Sequence, residues 1–498
     1  MFHPLILITF FPLVGVLLLL VIHSEQKSVI RWTAWGTSFI TFGLGIWVLL
    51  NFNLSDPSIQ MAINQPWVQS GRMTVTFQMG VDGLSLIMVL LTVFLTPLAL
   101  LSSWKAIQER LKQFMILFLL LEVGMIGVFL AQDLVLFYIF WEFTLVPAYL
   151  LVGMWGGERR IYAAVKFFIF TMAGSVVMLL AILYLGLNQG TFSISWLAAN
   201  HQLFSGAQTW LFLAFALAFA VKAPIFPLHT WLPDTYTEAP AAVTVILAGI
   251  LSKLGAYGFL RLNLPLFPQA SAQFAPWIGA LAVIGILYGA IVAYYQVDMK
   301  RLIAYSSISH LGFIILGIFA MNPQGVTGAA LQMVNHGLST GALFLIAGFL
   351  EERRGSRIVS DFGGVWKVMP WLGGIALVVV LSSVGLPGLN GFVGELTILL
   401  GAFGSSINGF MVLAVGAALG VILAAVYLLR LFENVFLGKL FIPANNSMPD
   451  LQSREAVLLA PILLFIFWIG LYPYPFLSLL NPTMNQLSSV VLAAAGMK

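Results

Sequence analysis

Apolar residues in this chain come in blocks of about twenty, parted by short polar stretches, with neither the alternation of a half-buried strand nor the single stripe of a surface helix. A helical block of that length crosses a hydrocarbon core about 30 Å thick. The pattern predicts fourteen membrane-spanning helices, over 3–22, 30–51, 83–103, 113–131, 133–153, 161–187, 209–233, 240–262, 275–296, 301–321, 326–349, 371–402, 409–430 and 456–480. The segments 52–80 and 440–455 are expected to be loops only. The first block, PLILITFFPLVGVLLLLVI (4–22), has no basic residue before it and no small-residue cleavage site after it, so it is expected to be retained as a helix.

Composition agrees with this reading. Of 498 residues, 60% are hydrophobic and 8% charged, and the mean hydropathy is +1.01, outside the range of soluble globular chains. The fold class is therefore an all-α polytopic membrane protein. If both termini lie outside, most of the 22 Lys and Arg residues fall on or near the inner face, with Arg72, Arg261 and Lys498 outside. The net charge of +4 then reflects topology, not a nucleic-acid partner. Two lysines, Lys222 and Lys253, are left inside the membrane.

Two spans are interrupted. KAPIFP (222–227) breaks the seventh and GLPGLNG (385–391) the twelfth, because Pro224 and Pro387 each remove a backbone donor and collide with the preceding turn. The breaks are five spans apart. Two successive five-helix units, helices 4–8 (113–262) and 9–13 (275–430), must start on opposite faces because five is odd, so the second is inverted relative to the first. Helices 1–3 (1–112) precede them, and an inner loop with helix 14 (431–498) follows. Matched broken helices in inverted halves point to a transport site near the midplane.

Seven ionisable residues fall at mid-depth: Glu122, Glu142, Lys222, Lys253, His310, His336 and Glu395. A central charge costs about 2.5–3.5 kcal/mol on insertion scales. One such residue is as readily a snorkelling anchor or a structural ion pair as a functional group; seven spread along the chain fit a proton path. Lys222 stands beside a break where freed carbonyls and water can approach, and Glu142, mid-span in helix 5, is its expected counter-ion. Desolvation and a nearby carboxylate act on such a lysine in opposite senses, so its protonation is switchable. Lys253 has Gly249, Ser252, Gly255 and Ala256 around it, which permit close packing. His310 lies one turn from Ser306, His336 is beside Asn335 with Ser339 in the next turn, and Glu395 follows the second break by about two turns. Glu122 is assigned no direct role, and Asp133 is expected to be interfacial.

Redox chemistry is not expected in this chain. There is no cysteine to ligate an iron–sulfur cluster, the six histidines show no paired haem-ligand spacing, and no Gly-rich nucleotide loop follows a strand pattern. Neither a cofactor site nor a metal site is assigned.

The segments KAPIFPLHTWLPDTYTEAPAAVTVILAGILSKLGAYGFLR (222–261), FWEFTLVPAYLL (140–151), RLIAYSSISHLGF (301–313), LQMVNHGLSTGALFL (331–345) and GLPGLNGFVGEL (385–396) together resemble the chain 4 (subunit M or D) family. These are antiporter-like membrane subunits of complex I and of the photosynthetic NDH complex. The resemblance covers nearly the whole chain. It implies that Glu142 and Lys222 are the family's glutamate–lysine pair, Lys253 its central lysine, His310 and His336 its connecting histidines and Glu395 its distal glutamate. The expected activity is proton translocation coupled to quinone reduction elsewhere in the complex, the proton passing from Lys222 to Lys253, then by His310 and His336 to Glu395 and out. NAD(P)H or ferredoxin, plastoquinone or ubiquinone, flavin and Fe–S clusters would belong to other subunits. Partners would be neighbouring antiporter-like chains and lipids. Tyr236 stands where many relatives have a histidine, which puts a proton-uptake role for that loop in doubt. The resemblance leans to the cyanobacterial and plastid branch, implying a thylakoid membrane, with a bacterial inner membrane as the alternative. A subunit of a multi-chain sodium/proton antiporter and a non-transporting scaffold are the rival readings.

Overall fold

In lipid every backbone N–H and C=O must be satisfied within its own segment, so apolar blocks of this length can cross only as helices. The computed structural model describes residues 3–70 and 73–496, and Arg72 and Lys498 lie outside the described residues. The chain begins with α1 (Pro4–Val21) and α2 (Lys27–Leu50), then strands β1 (Gln60–Ser70) and β2 (Met73–Val81). Next come α3 (Gly83–Ala106), α4 (Leu111–Leu130), α5 (Leu134–Trp155) and α6 (Arg160–Gln189). The seventh crossing is α7 (Gln208–Lys222) and α8 (Trp231–Glu238), followed by α9 (Ala241–Leu266), α10 (Pro268–Tyr294), α11 (Met299–Phe319) and α12 (Pro323–Arg354). The twelfth crossing is split into α13 (Pro370–Val384) and α14 (Asn390–Phe403), and α15 (Phe410–Phe436), α16 (Ser453–Leu471) and α17 (Tyr474–Ala494) complete the chain. Thirteen helices among the described residues are long and apolar enough to span, and the split pair makes the fourteenth crossing.

Both expected breaks are present, each with its freed backbone groups re-satisfied. At the first, Trp231 Nε1 donates to Val221 O at 2.9 Å, and Ile225 N to Ala220 O at 2.9 Å. At the second, Gly385 (φ +85°) and Gly388 (φ +93°) take left-handed conformations that favour glycine. Asn390 then ties the break to its neighbours: Asn335 Nδ2 donates to Asn390 O at 2.8 Å and Ser382 Oγ to Asn390 Oδ1 at 2.5 Å. Five crossings separate Leu111, where helix 4 begins, from Pro268, where helix 9 begins, so the two five-helix runs start on opposite faces of the bundle.

Two features depart from the reading of the sequence. The segment 52–80 is not only loop: β1 and β2 form an antiparallel hairpin across the outer face, paired Gln60 to Val81 and Ser70 to Met73. It bridges to the outer turns through Met79–Ala131 and Thr74–Thr191. Asp133, at the start of α5, is fully buried under this hairpin, accepting from Thr76 N at 3.1 Å and capping α5 through Val135 N at 2.9 Å. That burial pushes its carboxyl above the ordinary range despite the donors. The last crossing also ends earlier than expected, at Leu471, and α17 is a separate helix. Its buried positions Leu480, Thr483, Met484, Ser488 and Val491 recur every three or four residues, and Thr483 Oγ1 accepts from Gly83 N at 3.1 Å at the outer start of α3. α17 therefore lies along the outer face instead of crossing.

The inner face is held by ion pairs between helix ends and the connections beside them. Arg353 clasps Glu455 through two bonds of 2.9 and 2.6 Å, Arg357 reaches Asp298 at 2.5 Å and Glu238 at 3.1 Å, and Lys300 pairs with Glu351 at 2.6 Å. Burial raises the Asp298 carboxyl, with Arg357 opposing it. This arrangement predicts opposite labelling of two introduced thiols, since the chain has no cysteine of its own. Ser489→Cys, on the exposed side of α17, should react with an impermeant reagent only from the outer face, and Ser360→Cys only from the basic inner face. Labelling of both from one side would contradict the topology.

Candidate functional site

The first break sets Lys222 at the end of α7, buried in the bundle. Its Nζ lies over the ring of Trp141 at 5.1 Å and of Phe167 at 5.9 Å, and 3.5 Å from Thr144 Oγ1. Trp141 and Thr144 are i and i+3 on α5 and share its inward face. Glu142, turned about 100° away, shares its side with Ile139, Phe143 and Val146, which are 42%, 37% and 53% exposed. The expected glutamate–lysine ion pair is thus not direct among the described residues: Glu142 is half-buried, with one enclosed carboxylate oxygen unpartnered, and acts on Lys222 only through space.

Lys253 is completely buried at the middle of α9, between two π-helical turns, Leu247–Leu251 and Phe259–Asn263. Each π turn inserts a residue into the ladder, a distortion that recurs at functional sites. The Lys253 ammonium donates to Ala248 O and approaches His336 Nδ1 at 2.5 Å. An ammonium group is only a donor, so Nδ1 accepts, and a neutral His336 carries its proton on Nε2. His310 stands next, its ring centroid 5.9 Å from that of His336. Its Nδ1 is 2.7 Å from Glu395 Oε1, to which Gln332 Nε2 also donates at 3.2 Å.

Both imidazoles line a cavity of about 10 Å³, together with Gln332, Asn335, Ser339 and Ser382. That is about the space one water needs. His310 Nε2 and His336 Nε2 are both buried without a protein partner. The geometry therefore brings four expected residues into one run, Lys253, His336, His310, Glu395. The two histidines come in the reverse of the order expected from the sequence, because α12 packs against α9 and brings His336 to Lys253, while His310 on α11 reaches Glu395 directly. Among the described residues, no hydrogen bond joins this run to Lys222. The link there is backbone packing: a Cβ on Gly255 of α9 would come within 2.5 Å of Phe219 O and 2.6 Å of Ala223 N at the break.

Glu122 is buried on α4, with Oε1 accepting from Ser38 Oγ at 3.0 Å, away from the run. Tyr236 is buried and donates to Leu247 O at 2.9 Å, fastening the first π turn. Residues not singled out from the sequence are Gln332, Ser382 and Thr144. Gln332 carried a usable signal, one turn before His336 on the same helix face. Among the described residues, no three of His, Asp and Glu gather as a metal site requires.

The sequence profile of the NADH:quinone oxidoreductase/Mrp antiporter transmembrane family matches residues 131–420, the stretch that holds both breaks and every residue of the run. The chain belongs to this family. It is 40% identical over 497 residues to NADH-quinone oxidoreductase subunit M of Rhodobacter capsulatus, covering 97% of this chain and 95% of that one. A chain of respiratory complex I from Thermus thermophilus superposes with a TM-score of 0.88 at 35% identity, covering 98% of this chain and 99% of that one. A chain of the Mrp complex from Dietzia sp. DQ12-45-1b superposes at 0.82 but at 20% identity, covering 99% of this chain and 55% of that one, a likeness of fold alone.

Gly255 offers a direct test of the packing of α9 on the break. A methyl group there meets backbone, which cannot rotate away, so Gly255→Ala should destabilise the fold by about 1–3 kcal/mol and lower the yield of assembled complex. Gly206→Ala, with open space at its Cβ, should leave both unchanged. Equal yields for the two variants would show that α9 does not rest on the break.

Proposed function

We propose that this chain is a proton-translocating membrane subunit of a complex I-type NADH-quinone oxidoreductase, moving protons while quinone is reduced in other subunits. The observation that carries the proposal is the buried run from Lys253 to Glu395. A structural role requires only paired charges, whereas this run alternates donors and acceptors in one direction. Lys253 passes a proton to His336 Nδ1, and His336 gives up the one on Nε2. One water in the cavity carries that proton to His310 Nε2, and His310 delivers its Nδ1 proton to Glu395. Each imidazole thus takes a proton on one nitrogen and releases one from the other.

Lys222 feeds this run, and Glu142 tunes Lys222 from the outer surface of the bundle, where a neighbouring antiporter-like subunit would lie. The two inverted units, 113–262 and 275–430, act as the halves that hold Lys222 with Lys253 and His310 with Glu395. We further propose NADH as electron donor and a bacterial inner membrane as location, in place of the thylakoid setting first expected. The reason is the high identity to a bacterial NADH-quinone oxidoreductase subunit along the full chain. That identity also favours this reading over the sodium/proton antiporter.

Glu395→Gln keeps the size of the side chain and removes the proton acceptor. In the assembled complex it should lower quinone-coupled proton pumping by about a hundredfold, with no dependence on sodium before or after. Pumping at the unaltered rate would leave the run structural only, and sodium-dependent transport would favour the antiporter reading.

A further inference from the structure

The largest cavity described, about 670 Å³, opens at the inner ends of α10 and α15 and takes no part in the path above. Its wall mixes polar side chains, Gln296, Ser360, Arg430 and Asn434, with apolar ones such as Leu302 and Phe362, and Tyr427 also borders it. Tyr427 is 1% exposed, and its hydroxyl lies 2.8 Å from Ser306 Oγ on α11. Ser306 is one turn before His310 on the same helix. The cavity thus borders a buried hydroxyl pair that lies one helical turn from the His310–Glu395 pair in the second unit.

We propose that this cavity is the water-filled mouth of a second proton route, in which Tyr427 and Ser306 connect the inner face to the His310–Glu395 pair. The proposal rests on the proton-path reading above. In the transfer, a proton from cavity water adds to the Tyr427 oxygen while the phenolic proton moves to Ser306 Oγ. Ser306 then releases its own hydroxyl proton toward the His310–Glu395 pair. Each oxygen gains one proton and loses one, so one proton moves inward and neither hydroxyl ends charged. Glu395 would then be loaded both from the lysine side and from the inner face.

Three variants in the assembled complex test this, with Glu395→Gln as reference. Tyr427→Phe keeps the ring and its packing but removes the hydroxyl, and should slow pumping about tenfold. Ser306→Ala should do the same, Ser306→Thr should retain the rate, and the double variant Tyr427→Phe/Ser306→Ala should be no slower than either single. Independently, Ser306→Cys should react with a small charged methanethiosulfonate from the inner side only, read by mass spectrometry of this chain, which has no other cysteine. Normal pumping by Tyr427→Phe and Ser306→Ala while Glu395→Gln is inactive would overturn the inner route and leave the proton-path reading intact. Normal pumping by all three would overturn both. A Ser306→Cys thiol that stays unmodified, or reacts only from outside, would also overturn the route.

Discussion

Hydrocarbon offers a buried ammonium, imidazole or carboxylate no hydrogen bond, so every polar group carried into it must find a partner inside the protein. The rest of the structure follows from that constraint. Lys253 finds Ala248 O and His336, His310 finds Glu395, and Lys222 finds aromatic faces and the Thr144 hydroxyl. The breaks and π turns are the local distortions that bring such partners within reach. Because two of these partners, His336 and Glu395, can exchange a proton, satisfying the constraint also sets proton-exchanging groups side by side.

The same constraint explains why the two halves of the site differ in character. In the second unit, Gln332 donates to Glu395 of the histidine–glutamate pair and is itself tied through Asn335 to Asn390 and Ser382, a network of named hydrogen bonds. In the first, Lys222 has no carboxylate in direct contact, and its counter-charge, Glu142, faces the surface of the bundle. A lysine held by ring faces and one hydroxyl is sensitive to small changes in the field around it. A change at the surface beside Glu142 can therefore alter proton affinity at Lys222 without moving a helix.

Much of the fold was legible because crossing a bilayer demands length and apolarity, which any window of about twenty residues detects. The breaks at Pro224 and Pro387 were equally legible, since proline removes a donor wherever it stands. The hairpin was missed because its alternation, clear only over MTVTFQM (73–79), is too short to register in such a window. α17 was missed because its apolar stripe follows the last crossing directly and the two merged into one block. In the site, the identities of Lys222, Lys253, His310, His336 and Glu395 came from their cost at mid-depth. Their spatial order depends on which helices touch, and the outward turn of Glu142 on the periodicity of 139, 142, 143 and 146. That last signal was present in the sequence and was outweighed by the expectation of a direct ion pair.

The central claim is that Lys253 gives up and regains a proton as the complex turns over. Arginine keeps the charge and the hydrogen-bonding capacity at that position but does not deprotonate in proteins. The most direct measurement is therefore proton pumping by the fully assembled complex carrying Lys253→Arg, with assembly checked by subunit composition. The account predicts an assembled complex that does not pump through this subunit. Pumping at the unaltered rate would mean that Lys253 serves only as a fixed positive charge, and would contradict the relay from Lys253 to Glu395.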